Sequence, residues 1–311
     1  MTFPNFLNKK ITVIGDLMLD EYWLGSVNRI SPEAPVPIVN IANKSYKVGG
    51  AGNVAMNIAM LGVKVNLISS IGTDEEGKII KKILKKNKIY TNFQISKNKK
   101  TIKKLRILNN NQQMMRLDFD GDKNDFILKY KKKLSELIKQ SNVIVFSDYE
   151  KGCLSEIQKL IKISNRLKKT IVIDPKGNDF YRYKNSTILT PNLKEFENIV
   201  GKINNDRQLV SKGKNLIKEL NLTALLVTRG SQGMTLITNK DSFKLEALAE
   251  EVYDVTGAGD TVVALIASCL AANLNFYQAA NYANIAASLV VKKIGTEIFD
   301  LNELKKAMKL H

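Results

Sequence analysis

The feature of this chain that most limits its fold is the alternation of short apolar stretches with amphipathic ones along 311 residues. The apolar stretches have the length of β-strands, and the amphipathic stretches have helical spacing. This alternation predicts an α/β fold with one mostly parallel sheet and helices on both faces. The predicted strands are 10–15, 65–71, 142–147, 170–174, 187–190, 223–228 and 233–237, and the predicted helices are 52–61, 74–87, 125–140, 154–167, 192–200, 206–220, 261–272 and 277–292.

Two regions, about 17–45 and 90–119, interrupt the alternation. The first is strand-like and rich in proline, and the second alternates polar with apolar residues as a β-meander does. Neither has the continuous apolar runs of a doubly covered sheet. We therefore expect these regions to form a small separate β-sheet that projects from a single domain of residues 1–311 and acts as a lid.

The composition excludes several classes of protein. No apolar run has the length needed to cross a membrane, and the N-terminus has no signal-peptide pattern. Cys153 and Cys269 match no metal or redox spacing. Because the only histidine is His311, a Ser-His-Asp triad and a His-ligated zinc are excluded. We expect a cytoplasmic protein whose catalysis would use carboxylates, lysines, backbone amides and Mg²⁺.

The net charge of +18 comes mostly from lysine, and asparagine and isoleucine are also frequent. That combination indicates an AT-rich coding bias rather than selection for a partner. The densest basic region, Lys78–Lys104, begins with apolar residues at helical spacing and lysines between them, which is typical of a solvated helix face. The chain shows no arginine-rich patch or stacking aromatics of a nucleic-acid site, so we expect no nucleic-acid partner.

The most informative motif is Asp254–Thr261, directly before an apolar helical run. Gly257 and Gly259 can adopt backbone angles closed to other residues, which allows successive amides to face one anion. The positive end of the helix adds to this effect. Asp260 beside such a cradle could take a proton from a hydroxyl while the cradle holds a phosphoryl group. The alternative is that Asp260 only caps the helix.

Further polar groups come at strand ends and helix entrances, where ligands bind in open α/β sheets. Asp16 and Asp20 would share one face of an extended chain and could accept hydrogen bonds from sugar hydroxyls. The alternatives are a turn at Asp16 and a solvated Asp20. The glycines before Asn53 would let a ligand approach the backbone, and the Asn53 amide can both donate and accept. Here the alternative is a flexible loop with an asparagine cap.

Three other strand ends carry candidates for phosphate or metal binding. Lys176 could neutralise a phosphate, or it could belong to a surface turn. Asn192 and Glu195 are three residues apart on a predicted helix and could together hold a hydrated Mg²⁺, although they also suit a plain helix start. Thr228 and Gly230 could line a nucleotide pocket, or they could form a hairpin turn.

In sequence order these motifs resemble those of the ribokinase-like (PfkB) sugar kinases over essentially the whole chain. The N-terminal third resembles more narrowly the members of that family that phosphorylate D-glycero-β-D-manno-heptose 7-phosphate for ADP-heptose and lipopolysaccharide synthesis. In that third, the segments that carry this narrower resemblance are Gly15–Trp23, Arg29–Pro37 and Gly49–Asn57. Further along the chain, Ser147–Gly152 and Asp174–Gly177 also resemble those members.

The resemblance implies a role for each matched position. Asp260 would be the general base, with Gly257, Ala258 and Gly259 as the anion hole. ATP and its Mg²⁺ would meet Asn192, Leu193, Lys194, Glu195, Thr228 and Gly230. Sugar hydroxyls would meet Asp16, Asp20, Gly50 and Asn53, and the substrate's phosphate would meet Lys176, Lys151 and Arg116. The positions of Asp254 and Thr256 hold a monovalent cation such as K⁺ in some relatives.

The resemblance also implies phosphorylation of the anomeric hydroxyl and a homodimer formed through the small sheet. Some relatives carry a C-terminal nucleotidyltransferase domain; because this chain stops at His311, we expect a kinase-only form. The helix N-terminus should keep Asp260 ionised, as a weak base that accepts the proton late. Two alternatives stay open: the same fold acting on another sugar or sugar phosphate, and a non-catalytic binding protein with a basic surface.

Overall fold

The computed structural model describes residues 3–96, 99–110, 112–129, 132–249, 252–293 and 295–310. Its strands are β1 (Lys10–Gly15), β2 (Leu17–Ile30), β3 (Pro37–Gly50), β4 (Lys64–Gly72), β5 (Tyr90–Ser96), β6 (Lys103–Asn109), β7 (Gln112–Phe119), β8 (Val143–Ser147), β9 (Thr170–Asp174), β10 (Ile188–Leu189), β11 (Ala224–Thr228), β12 (Met234–Thr238) and β13 (Ser242–Leu245). Its helices are α1 (Ala51–Met60), α2 (Glu75–Lys86), α3 (Lys132–Gln140), α4 (Ile157–Arg166), α5 (Leu193–Val200), α6 (Asp206–Leu220), α7 (Ala258–Ala271), α8 (Phe276–Val290) and α9 (Leu301–Leu310).

The predicted mostly parallel sheet is present, with nine strands in the order β13-β12-β11-β10-β9-β8-β1-β4-β5. All strands from β11 to β5 run parallel, and β12 and β13 add an antiparallel edge. Apolar side chains of α1, α2, α7, α8 and α9 form the core on one face of the sheet. Side chains of α3, α4, α5 and α6 form the core on the other face. Within the described residues, no helix has the length and apolarity that crossing a membrane requires.

A second sheet, here called the small sheet, contains four strands in the order β3-β2-β6-β7. Strand β2 starts two residues after β1 ends, and β3 runs directly into α1. The small sheet is therefore rooted beside the carboxyl end of β1. This position places it next to the edge of the large sheet where ligands bind in open α/β folds.

The region 90–119 divides between the two sheets, which differs from the expectation that all of it joins the small one. Tyr90–Ser96 pairs in parallel with β4 and forms an edge of the large sheet. Its residues alternate because an edge strand is only partly covered, with most of them half-buried or exposed. Lys103–Phe119 does join the small sheet.

Other boundaries also differ from the sequence-based expectation. The helix expected over 125–140 begins only at Lys132, and a short 3₁₀ turn covers Lys123–Phe126; residues 130 and 131 lie outside the described residues. The short strand β13 and the helix α9 were not predicted. Helix α7 begins at Ala258, three residues before the predicted start, so Asp260 lies inside its first turn.

Candidate active site

A cavity of about 170 Å³ opens where the carboxyl ends of the parallel strands meet the N-terminus of α7. It is lined by Asp148, Tyr149, Asp174, Pro175, Lys176, Thr190, Asn192, Glu195, Thr228, Gly257, Gly259 and Asp260. The structure thus brings the glycine motif together with the Asn192–Glu195 element, which lies about 60 residues earlier in the sequence. Among the predicted nucleotide residues, Leu193 packs towards the core, Lys194 is exposed and Gly230 lies outside the cavity lining.

The glycine cradle has the backbone geometry that the sequence predicted. Gly257 is the N-cap of α7 with φ of 82°, in the left-handed region that favours glycine. A Cβ there would lie 2.8 Å from Asn53 Nδ2, so a side chain would displace Asn53. Gly259 faces open space. Because the first amides of a helix have no intrahelical partner, those of Gly259 and Asp260 can bind an anion in the cavity.

The Asp260 carboxylate is held by two donors from distant segments. Tyr149 Oη donates to Asp260 Oδ1 at 2.8 Å, and Asn53 Nδ2 donates to Asp260 Oδ2 at 2.8 Å. Asp260 is only 4% exposed. Gly257, not Asp260, occupies the capping position, and no side chain caps this helix. The interpretation of Asp260 as a helix cap is therefore wrong.

Burial raises the pKa of Asp260 to about 6, against the hydrogen bonds from Asn53 and Tyr149, which lower it. Asp260 is thus mostly ionised at neutral pH, as expected, but it is a stronger base than the helix terminus alone predicts, since loss of hydration outweighs the local dipole. A pKa near 6 suits a general base that works near neutral pH.

Asn53 lies in a polar network that the sequence analysis found only in part. Asn57 Nδ2 donates to Asn53 O at 2.9 Å and to Asn53 Oδ1 at 3.2 Å, and Thr261 Oγ1 donates to Asn57 Oδ1 at 3.3 Å. The Asn53 amide thus faces Asp260. One of its two N–H groups stays available for the predicted sugar contact. The signal for Asn57 was its spacing of four from Asn53, which places both on one helical face. Gly50 precedes them as the N-cap of α1, with φ of 60°.

Asp16 and Asp20, expected on one face, have different surroundings. Asp16 is fully buried, and its carboxylate accepts from the backbone amides of Tyr149, Lys151 and Cys153 at 2.9–3.0 Å. It therefore fixes the loop after β8, and its sugar contact stays a prediction. Asp20 lies four residues further on, within β2.

Asp20 belongs to a charged face of the small sheet that the sequence analysis missed. Its Oδ1 accepts from Arg106 Nη1 at 2.5 Å, and both side chains are at least nine-tenths buried. Strand register places Lys104 opposite Asp20, and Arg116 opposite Arg106. The pKa of Lys104 is lowered by burial, although Asp20 raises it. The available signal was the spacing of two between Lys104 and Arg106, which puts both on one face of a strand.

The three residues predicted to meet the substrate's phosphate are each paired with a carboxylate. Lys176 Nζ lies 2.7 Å from Glu195 Oε1, on the Asn192–Glu195 side of the cavity. Lys151 Nζ lies 2.6 Å from Asp120 Oδ2. Arg116 Nε lies 2.9 Å from Asp118 Oδ1. By contrast, Lys104 forms no ion pair with a described residue; its ammonium lies 5.7 Å from the Tyr149 ring centre.

Asn192 and Glu195 form a capping box at the start of α5. Asn192 Oδ1 accepts from Glu195 N at 2.9 Å, and Glu195 Oε2 accepts from Asn192 N at 3.0 Å. The two residues therefore do form a helix start, but with Asn192 as the cap rather than Thr190 as the sequence predicted, and this role does not exclude metal binding. Asp174 lines the same cavity, and burial together with Asp260 and Glu195 raises its pKa well above the usual range.

These carboxylates and the Asn192 amide fit a hard, oxygen-ligated cation such as Mg²⁺. Burial is the largest cause of the raised pKa of Asp174, and repulsion from Asp260 and Glu195 adds to it; a cation would relieve that repulsion. In the described part of the chain, no three acidic, histidine or cysteine side chains are close enough to hold a metal ion together. Binding of Mg²⁺ through water at Asn192 and Glu195 stays a prediction.

Asp254 joins the loop before α7 to the loop at Gly295. Its Oδ1 accepts from Thr256 N at 2.8 Å and Thr256 Oγ1 at 2.6 Å, and its Oδ2 accepts from Gly295 N at 2.8 Å. Although burial raises the pKa of Asp254, these hydrogen bonds bring it below its usual value. Monovalent-cation binding at Asp254 and Thr256 stays a prediction.

Comparison with curated proteins shows close relatives that are longer than this chain. It is 47% identical over 305 residues to the bifunctional protein HldE of Haemophilus influenzae strain PittEE, and 46% identical over 314 residues to that of Psychromonas ingrahamii. The alignments cover 97% and 99% of this chain and 64% and 65% of those relatives. The chain thus spans less than two thirds of their length.

Solved structures establish the fold, and a family profile establishes the family. The chain is similar to Arabidopsis thaliana ribokinase complexed with ribose and ATP, with a TM-score of 0.77, 18% identity and coverage of 97% and 98% of the two chains. It is similar to Escherichia coli phosphofructokinase-2 in complex with substrates and products, with a TM-score of 0.81, 18% identity and coverage of 97% and 99%. Both matches confirm the ribokinase-like fold. The profile of the pfkB family carbohydrate kinases matches residues 8–303, and the chain belongs to that family.

Proposed function

We propose that this chain transfers the γ-phosphoryl group of ATP to the anomeric hydroxyl of D-glycero-β-D-manno-heptose 7-phosphate, giving the 1,7-bisphosphate for ADP-heptose and lipopolysaccharide synthesis. The observation that carries the proposal is the Asp260 carboxylate, held by two donors beside the Gly257–Gly259 cradle. A protein that only binds sugar has no need of a buried carboxylate with a raised pKa at an anion cradle. Because the reaction uses ATP, we place it in the cytoplasm.

In the proposed reaction, Asp260 accepts the proton of the anomeric hydroxyl as its oxygen attacks the phosphorus. The amides at the start of α7 hold the charge on the transferred group, where they need no reorganisation. Glu195 and Asn192, with Asp174 beside them, would hold Mg²⁺ through water, and this ion would neutralise charge on the ATP phosphates. The bond between the γ-phosphorus and the bridging oxygen breaks as the new bond forms, and ADP leaves with that electron pair. The aspartate holds the proton at one of its carboxylate oxygens until solvent takes it up after the product leaves.

The charged face of the small sheet supports a phosphorylated substrate. Lys104 is half-buried with no paired carboxylate among the described residues, and it lies close enough to Asp260 to lower the pKa of that group. An unpaired, partly desolvated ammonium beside a sugar site has a strong preference for an anion. Arg116 stands on the same face, bound to Asp118. The N-terminal resemblance to heptose 7-phosphate kinases specifies which sugar phosphate we propose.

A coupled ADP-release assay tests the substrate. We expect turnover with heptose 7-phosphate to exceed that with fructose 6-phosphate, ribose or adenosine. Asp260→Asn should lower kcat by a factor of about 10²–10⁴ while ATP still binds. Faster turnover on another acceptor would reject the heptose assignment, and equal turnover in the variant would reject Asp260 as the base.

We further propose that the chain forms a homodimer through the small sheet. All eight residues of β7 are exposed, and Met115, Leu117 and Phe119 alternate along its outer face. A run of exposed apolar side chains beside an unpaired strand edge is typical of a surface that another chain covers. Sedimentation velocity of the wild-type protein should give twice the mass of one chain.

A further inference from the structure

Tyr149, which lies in the Ser147–Gly152 segment but was assigned no role from the sequence, directly contacts the proposed base. Its hydroxyl donates to Asp260 Oδ1 at 2.8 Å, and its ring lines the cavity. Burial and the neighbouring carboxylates raise the pKa of Tyr149 well above its usual value. The phenol therefore stays protonated and acts as a fixed donor rather than as a second base.

Two contacts and the conformation of the next residue fix the position of Tyr149. Its backbone amide donates to Asp16 Oδ2 at 2.9 Å, and Asp16 also binds the amides of Lys151 and Cys153. Glu150, the next residue, has φ of 55°, a left-handed conformation that a non-glycine residue keeps only when its surroundings impose it. The ammonium of Lys104 lies over the ring from the small sheet. The tyrosine is thus held from its backbone and from one ring face.

We propose that Tyr149 is a positioning residue: its hydroxyl fixes the Asp260 carboxylate so that the remaining acceptor sites face the sugar hydroxyl. The proposal rests on the proposed kinase function. A carboxylate offers about four acceptor sites on two oxygens, and Tyr149 and Asn53 occupy one on each. Without Tyr149 only the bond from Asn53 holds the carboxylate, and orientation of this kind contributes strongly to the rate.

The hydroxyl also stabilises the ionised form of Asp260. The charged and titratable groups around Asp260 are Asp20 on β2, Lys104 on β6, Asp174 at the end of β9 and Tyr149 after β8. Asp20 raises the pKa of Asp260, whereas Lys104 and Tyr149 lower it. Tyr149→Phe keeps the ring, so the carboxylate stays buried and loses only one donor. The pKa of Asp260 should then rise.

The first test compares pH–rate profiles of the wild type and Tyr149→Phe with heptose 7-phosphate. We expect kcat to fall roughly ten- to hundredfold and the acid limb of kcat/KM to move to higher pH by on the order of one unit, with the KM for ATP unchanged. The matched control is Tyr183→Phe, which removes a hydroxyl that donates to Asp148 Oδ2 at 2.9 Å and does not contact Asp260. The acid limb of the kcat/KM profile of Tyr183→Phe should stay at the same pH as in the wild type.

A second measurement needs no turnover. Carboxyl ¹³C NMR, with the Asp260 signal assigned from Asp260→Asn, should give a higher Asp260 pKa in Tyr149→Phe than in the wild type. Replacing Tyr149 by 3-fluorotyrosine keeps the hydroxyl and strengthens it as a donor, so it should restore the rate and lower this pKa. An unchanged pKa in both variants, or a full rate in Tyr149→Phe, overturns the proposal. A shifted pKa in a protein that phosphorylates none of the sugars supports the Tyr149–Asp260 contact while rejecting the kinase assignment.

Discussion

Asp260→Asn should change how the stability of this protein depends on pH. Burial raises the pKa of Asp260 from 3.8 in the unfolded chain to about 6 in the native state. Between these values the native state holds a proton that the unfolded state has released. Wild-type stability therefore falls as pH rises through this window. Because an asparagine does not titrate, the variant does not lose stability in this way as pH rises.

The expected size follows from the two pKa values. A difference of this size corresponds to about 3 kcal/mol of tighter proton binding by the native state. From about pH 4 to pH 7, the unfolding free energy of the wild type should fall by about 2–3 kcal/mol relative to that of the variant. The asparagine oxygen can still accept from Asn53 Nδ2 and its amide can donate to Tyr149 Oη, but this exchange of partners carries a cost of its own. That cost is the same at every pH, so the change with pH isolates the titration.

Urea unfolding of the substrate-free wild type and variant at several pH values measures this difference. The melting temperatures should diverge by on the order of 5 °C over the same range. A difference in unfolding free energy that stays flat from pH 4 to pH 7 would refute the argument, because it would mean that Asp260 titrates alike in the native and unfolded states.

Three further predictions concern metal, substrate and assembly. Glu195→Gln keeps an oxygen for the capping box but loses its charge, so the Mg²⁺ concentration for half-maximal rate should rise severalfold while the KM for the sugar changes little. Lys104→Gln should raise the KM for heptose 7-phosphate at least tenfold; Lys103→Gln is the control, since Lys103 faces the other side of β6 and binds Glu76, and equal effects would remove the phosphate role. Leu117→Lys should convert a dimer to a monomer in sedimentation velocity, and an unchanged mass would exclude the small sheet as the interface.

Helices and strands that are specified by one short, continuous stretch of sequence could be predicted. The observed bounds of β1, β9 and α6 are those predicted, because each is a regular pattern closed by turn residues. Strand β5 was assigned to the wrong sheet because an edge strand of a parallel sheet and a strand of a meander can show the same alternation. The basic region 78–104 contains both a solvated part and a part of the site. Helix α2 is the solvated helix that the sequence predicted, whereas Lys104 faces the candidate site.

The glycine cradle was predictable for the same reason, since Gly257, Gly259 and Asp260 are contiguous. The partners of Asp260 were not, because Tyr149 and Asn53 lie 111 and 207 residues away in the sequence. The Arg106–Asp20 pair spans 86 residues. Spacing rules describe one helix or strand at a time, so they identify candidates but do not show which of them meet.

The protonation of Asp260 shows how a non-local effect can reverse a local one. A helix N-terminus stabilises a carboxylate by about 0.3–1 kcal/mol at exposed positions, which predicts a lowered pKa. In the structure, Asp260 is covered by α1, the loop after β8 and the small sheet, and the net result of burial and hydrogen bonding is a shift worth about 3 kcal/mol in the opposite direction. At neutral pH the group is still mostly ionised, so the larger effect sets its basicity. Because Lys104 lies on the small sheet and lowers the pKa of Asp260, movement of that sheet would change the basicity of the group that takes the proton.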